Sequence, residues 1–211
     1  MNTFQIEALS ITVITFVLSF VLAFYMTRKY KKSRASSLLF WSAGMQAFAI
    51  GVFIEVVFAL GIATVPLVSF YVFLVALIVE LLALGSIQLI KSKKIKRAYY
   101  AFCIVSTVLL AGSVIAYPAS ISFVTNYVAW GALPLVVTLL STLITIPASI
   151  VLLAVAIKSY LKTRNKKLLS IIAGVVFVVI AGTLFILSFP ALLYISEFVG
   201  ILLLWYGFYS G

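Results

Sequence analysis

All fifteen Lys and Arg side chains fall in three clusters of five, Arg28 to Arg34, Lys91 to Arg97 and Lys158 to Lys167, and the stretches between them carry none. A chain punctuated in this way has few folds open to it. Each intervening stretch is long enough to cross and recross a hydrocarbon core of about 30 Å as a pair of helices rising about 1.5 Å per residue. A composition 65% hydrophobic and 9% charged, with a mean hydropathy of +1.32, removes a soluble globular domain from consideration. The net charge of +11 would suit nucleic acid if it covered one face. Confined to three short loops, it instead follows the positive-inside rule, and no nucleic-acid partner is expected.

Hydropathy and the basic clusters divide the chain into seven expected spans, 6–26, 38–60, 66–90, 98–116, 129–157, 168–189 and 191–209. Ser36 and Ser37 stand where a helix cap would, Gly61 and Pro66 bracket a turn, and Pro118 and Pro190 close the fourth and sixth spans. The basic clusters follow spans one, three and five, which makes those loops cytoplasmic, the N-terminus outside and the C-terminus cytoplasmic. The expectation is an all-α integral membrane protein of the cell membrane, one seven-helix transmembrane domain over residues 1–211, without a removable signal peptide or a soluble domain.

Three hairpins invite comparison: Ala23 to Gly51, Ala83 to Gly112 and Ala154 to Gly182 each run helix, basic turn, helix, with separations of 28, 29 and 28 residues. Internal triplication would produce this spacing, and so would any three positive-inside hairpins. The hairpins share one direction, whereas transporters built from inverted repeats alternate.

Histidine and aspartate are absent and Cys103 is the single cysteine. Haem axial pairs, the usual zinc sites and a thiol redox pair are thereby excluded, and no metal or cofactor is expected. No nucleophile and base pair up in the sequence, so the chain is not read as an enzyme.

Chemistry is left to the glutamates. Glu80 stands near the middle of the third span, close to the bilayer midplane, and Glu55 near the outer end of the second. Glu197 stands in the outer half of the seventh, one turn from Tyr194, a candidate hydrogen-bond donor, and analogy with a closed seven-helix ring brings it toward Glu55. No Lys or Arg shares a span with them. Each must be protonated, hydrated, cation-bound or paired with another subunit, which makes Glu55, Glu80, Glu197 and Tyr194 the candidate ligand or proton site. At 100° per residue Trp41, Gly44, Phe48, Gly51 and Glu55 share one face of span two, and Ser69, Phe73, Ala76, Glu80, Ala83 and Ile87 share one face of span three. In span five Thr138, Ser141, Thr142 and Thr145 recur at helical spacing ahead of Pro147; they are candidate cavity-lining hydroxyls or packing contacts. Gln46 and Gln88 suggest a second polar seam near the cytoplasmic half. Aromatics at the span ends, such as Tyr25, Trp130 and Trp205, read as interfacial anchors, and the basic loops as contacts for membrane lipids or an acidic partner.

Seven spans with an external N-terminus invite comparison with microbial rhodopsins, but span seven lacks the lysine that holds retinal. The segment Phe48-Ala-Ile-Gly51-Val-Phe-Ile-Glu55, following a basic first turn, resembles the second helix of the seven-helix membrane sensor regions of prokaryotic histidine kinases, with phenylalanine where that family usually carries tryptophan. The resemblance implies a sensor that hands its signal to a separate protein, since no kinase domain is present. The first functional expectation is a non-catalytic membrane protein that binds a partner subunit or small apolar ligand in the bilayer, as a sensor or accessory subunit of a membrane complex. The second is a proton- or cation-coupled transporter using the glutamates.

Overall fold

A computed structural model describes residues 3–125, 127–129, 131–164, 169–174, 176–177 and 190–209. Among the described residues the chain is all-α apart from one hairpin of two-residue strands and a short 3-10 turn: α1 (Thr3–Ser33), α2 (Ser36–Ala59), α3 (Val65–Ile87), α4 (Lys93–Ala116), α5 (Leu135–Thr163), α6 (described over 169–174 and 176–177) and α7 (Pro190–Tyr209). Five of these, α1 to α5, are long and apolar enough to cross a membrane. Their length and composition suit a membrane protein. The sixth expected span lies mostly outside the described residues.

Boundaries shift for identifiable reasons. α1 continues through its basic cluster to Ser33, and the turn follows at Arg34, whose φ of 54° ends the helix in the left-handed region. Ser36 opens α2 but does not cap it; Ala35 occupies the N-cap position with no side-chain hydrogen bond. Ser92 does cap α4, its Oγ accepting from the Ile95 amide at 3.4 Å, so that Lys93 to Arg97 form the first turns of the helix instead of a loop. The fifth span starts at Leu135 and not at Ala129, because Pro134 sits at the helix entry and Ala129 is taken up in a hairpin. There β1 (Val124–Thr125) pairs antiparallel with β2 (Val128–Ala129), Val124 opposite Ala129, beyond a short 3-10 turn at Ile121–Phe123.

Helix α2 lies between α1 and α3, α3 also meets α4 and α5, and α7 docks on α1. The α2–α3 seam is an antiparallel zip. The Trp41 indole occupies a notch at Gly85 so close that a Cβ there would stand 2.1 Å from its Cδ1, and its Nε1 donates to the Leu82 carbonyl at 3.0 Å. Gly44 admits Leu82, and Gly51 admits Ile78. Small residues let two backbones approach closely, the device by which helices associate in lipid. Farther along, Phe58 meets Tyr71 edge-on at 5.5 Å.

Two further docking points complete the frame. Trp205 of α7 donates to the Leu18 carbonyl at 2.9 Å and stacks on Tyr25 of α1. The hairpin sits over the end of α2 and α3 away from the basic clusters, where Val128 and Ala129 are buried, Phe123 faces Tyr71, and the Ala119 amide donates to Ser69 Oγ at 3.1 Å. Hydroxyls on α1 are handled inside the helix: Ser10, Thr12, Thr15 and Ser19 each donate to a carbonyl three or four residues back, as an apolar surround requires.

The hairpin repeat does not carry through to packing. Gly51 lies in the α2–α3 contact, whereas a Cβ at Gly112 would meet nothing within 4 Å; Gly182 lies outside the described residues. These two environments predict opposite outcomes. Gly85→Ala should expel the Trp41 indole and lower stability by about 1–3 kcal/mol, with a shifted tryptophan emission, while Gly112→Ala should be neutral or mildly stabilising. Thermal unfolding in detergent, followed by fluorescence, measures both.

Candidate functional site

The glutamates separate into two clusters. Nine residues divide Tyr71 from Glu80 along α3, roughly 13 Å of rise and two and a half turns, so the two side chains leave opposite faces of that helix. Tyr71 faces α2, and Glu80 faces α4.

At the end away from the basic loops, Tyr71 donates its hydroxyl proton to Glu55 Oε1 at 2.5 Å. Both residues are buried, Glu55 at 2% and Tyr71 at 6% exposure. The hairpin geometry explains why they meet, since Glu55 and Tyr71 stand equally far before and after Ala63 in the α2–α3 turn. Glu197, from α7, lies within hydrogen-bonding reach of Glu55. As a residue Glu197 is half-buried, yet its Oε2 is enclosed; neither that oxygen nor Glu55 Oε2 has a hydrogen-bond partner among the described residues. No cationic side chain is among the groups acting on either carboxyl.

Tyr194 is buried beside this pair, with its hydroxyl near the backbone of Ala129 in β2 and within electrostatic reach of both carboxyls. It completes no well-aligned hydrogen bond among the described residues, so the donation to Glu197 expected from their one-turn spacing is not made. The donor to the pair is Tyr71, on another helix. Tyr71 lies within an apolar run five residues into the third span, and a buried tyrosine hydroxyl needs a partner; that was the available signal for it.

Glu80 lies fifteen residues beyond Val65 and seven short of Ile87, which puts it in the basic-end half of α3 and not at its middle. Two α4 hydroxyls face it: Thr107 Oγ1 donates to Oε2 at 2.5 Å, and Ser106 Oγ lies 3.3 Å from Oε1 while sharing its proton with the nearer Phe102 carbonyl at 2.8 Å. Each carboxyl oxygen therefore has a hydroxyl within reach. Cys103 and Tyr99, one and two turns back along α4, complete the surround. Ser106 and Thr107 were not singled out in the sequence, because hydroxyls at this spacing are common in apolar helices.

The α5 hydroxyls do not form a set. Thr138 and Thr142 are exposed and bond back to the carbonyls of Pro134 and Thr138, which corrects their assignment as cavity lining. The buried stripe of α5 is instead apolar: Val137, Ile144, Ala148, Leu152 and Val155. Thr145 is half-buried, and Ser141 keeps an enclosed hydroxyl with no partner among the described residues. Gln46 and Gln88 likewise do not share a seam. Gln46 donates to Thr27 Oγ1 of α1 at 2.9 Å, and Gln88 to the Tyr100 hydroxyl of α4 at 2.7 Å.

Two cavities among the described residues lie away from the glutamates. An apolar groove of about 400 Å³ opens between α3 and α4, lined by Phe70, Phe73, Val114, Ile115 and Pro118 among others. A cleft of about 60 Å³ lies toward the basic end, against Trp41, Met45, Leu82, Leu152 and Ile171.

The clamp on Glu80 predicts a graded response. Glu80→Gln keeps an oxygen that accepts from Thr107 and an amide that can donate to Ser106 Oγ, whereas Glu80→Ala strands the Thr107 hydroxyl and should lower stability by about 1–3 kcal/mol. Equal unfolding midpoints for the two variants would contradict the clamp. Comparison with known proteins found no family model, no curated protein and no solved structure that matches the chain.

Proposed function

We propose that the chain is a non-catalytic, seven-span protein of the cell membrane that serves as a sensor or accessory subunit of a membrane complex, with the carboxyl cluster of Glu55, Glu197, Tyr71 and Tyr194 as its ligand-responsive site. One observation carries this reading: two glutamates from helices far apart in the chain, Glu55 buried and Glu197 half-buried, meet under a hairpin cap, each keeping an enclosed oxygen without a donor among the described residues. Unsatisfied polar atoms inside an apolar bundle are costly, and they are tolerated where something binds or changes. Basic loops on one face support an orientation with the N-terminus and the hairpin outside and the C-terminus in the cytoplasm. The site then faces outward and the cations face a cytoplasmic partner or anionic lipid.

Transport coupled to a proton or cation is the second reading, and the same two orphan oxygens favour it. Against it stands Glu80, occupied by Ser106 and Thr107 on the other face of α3, which leaves the three glutamates without a common file. The readings part experimentally. Gentle detergent extraction with mass spectrometry of the intact assembly should recover a stoichiometric partner protein if the chain is a subunit. Proton or cation flux in vesicles containing the purified chain alone would favour transport.

Orientation is tested separately. Cysteines at the exposed positions Lys94 and Thr163 should react with an impermeant thiol reagent in inverted vesicles and not in intact cells, against a low background because Cys103 is 3% exposed. Labelling of either in intact cells would reverse the assignment.

A further inference from the structure

Three polar clusters merit comparison: the Glu80 clamp, the basic-end contacts of Gln46 and Gln88, and the Glu55–Glu197 pair. In the first two the polar groups answer one another. Only the pair brings together two acceptors with nothing assigned between them.

We propose that Glu55 and Glu197 share a single proton, and that this proton latches α7 against α2. The proposal deepens the reading above by naming the ligand of the carboxyl site, and its test needs no partner subunit. The argument begins with what each oxygen already does. Glu55 Oε1 accepts from Tyr71, which fixes the orientation of the carboxyl. Glu55 Oε2 and Glu197 Oε2 are enclosed and unpartnered among the described residues, and the two carboxyls lie within hydrogen-bonding reach. Two carboxylates cannot donate to each other. One proton placed between them converts two orphan acceptors into a donor and an acceptor and removes one of the two like charges.

Among the described residues the surroundings supply no substitute for that proton. From α3 the facing group is the neutral Tyr71, from α7 it is Tyr194, and from β2 it is the backbone of Ala129. The one acidic residue of α1, Glu7, is exposed, and α1 carries no cation before Arg28. Glu80 belongs to the other face of α3, held by α4. Among the described residues no third His, Cys, Asp or Glu joins the pair, so a metal ion would lack most of its usual side-chain ligands.

What the proton would hold follows from the packing. α7 is joined to α1 by Trp205 and Leu18 and to α6 by Ser170, whose Oγ donates to the Leu203 carbonyl at 2.6 Å. The carboxyl pair adds the tie to α2. Loss of the proton to water or hydroxide leaves two adjacent carboxylates, which repel, and the α7 end nearest the hairpin moves away from α2. Regain of one proton reseats it.

The test uses the full chain in lipid nanodiscs, with Glu7 and Glu80 both changed to Gln so that only the pair is titratable among the carboxyl side chains. Infrared difference spectra follow the protonated-carboxyl band while pH rises, and spin labels on α2 and α7 report their separation. The expected result is loss of about one proton per chain accompanied by an increase in the α2–α7 distance. Adding Glu197→Gln should abolish both changes, because its amide donates to Glu55 at every pH; Glu55→Gln should do the same, which guards against misfolding of either variant. A band that does not titrate, a titration with no movement of α7, or a titration that persists in both variants overturns the proposal. So does loss of the band on adding sodium at constant pH, which would make the ligand a metal cation. A titrating, moving α7 in a chain that extracts without any partner sinks the subunit reading and leaves the latch standing.

Discussion

The close approach of α2 and α3 is the contact on which the rest of the structure depends. It is made possible by absence of side chain, at Gly44, Gly51 and Gly85, and is filled by Trp41, Leu82 and Ile78. Interhelical hydrogen bonds in lipid contribute about 0.6 kcal/mol on average and about 1.7 kcal/mol at most, so those among the described residues do not hold the bundle by themselves. Packing brings the helices together, and the polar contacts select the register. Trp41 to the Leu82 carbonyl and Tyr71 to Glu55 lie at opposite ends of one seam, and a slip by one residue along α3 would break both.

That seam makes α3 a divider. One face meets α2 and carries Tyr71; the other meets α4 and α5 and carries Glu80 and Ala83. The acidic groups are therefore kept apart by a helix, and each has its own solution. Glu80 is answered by hydroxyls already on α4, a closed arrangement suited to holding two helices together. Glu55 and Glu197 are answered by one tyrosine between them, an open arrangement that leaves room for a proton. The hairpin at Val124 to Ala129 covers the second arrangement and not the first.

Much of this was legible in the residues. The face of α2 that runs Trp41, Gly44, Phe48, Gly51 and Glu55 was readable from helical periodicity, and it is the face that meets α3. The α3 face from Ser69 to Ile87 likewise turns toward α4, α5 and the hairpin region. The spacing of Thr138 and Thr142 was equally regular and misled, because a hydroxyl that bonds to its own helix is as content on the outside as within. The β-hairpin went unread, since four strand residues leave no alternating pattern long enough to detect.

Local rules carry the first kind of information. Lipid demands that each helix satisfy its own backbone, and the positive-inside rule acts on short loops, so the helices, the basic end and the residues too polar for lipid follow from sequence alone. Partnership is different. That Tyr71 and not Tyr194 donates to the pair of Glu55 and Glu197, and that Ser106 and Thr107 face Glu80, were decided by tertiary structure. Periodicity specifies which face of a helix is polar or small, but the order in which helices pack, and hence which polar group meets which, depends on the shapes of all of them at once.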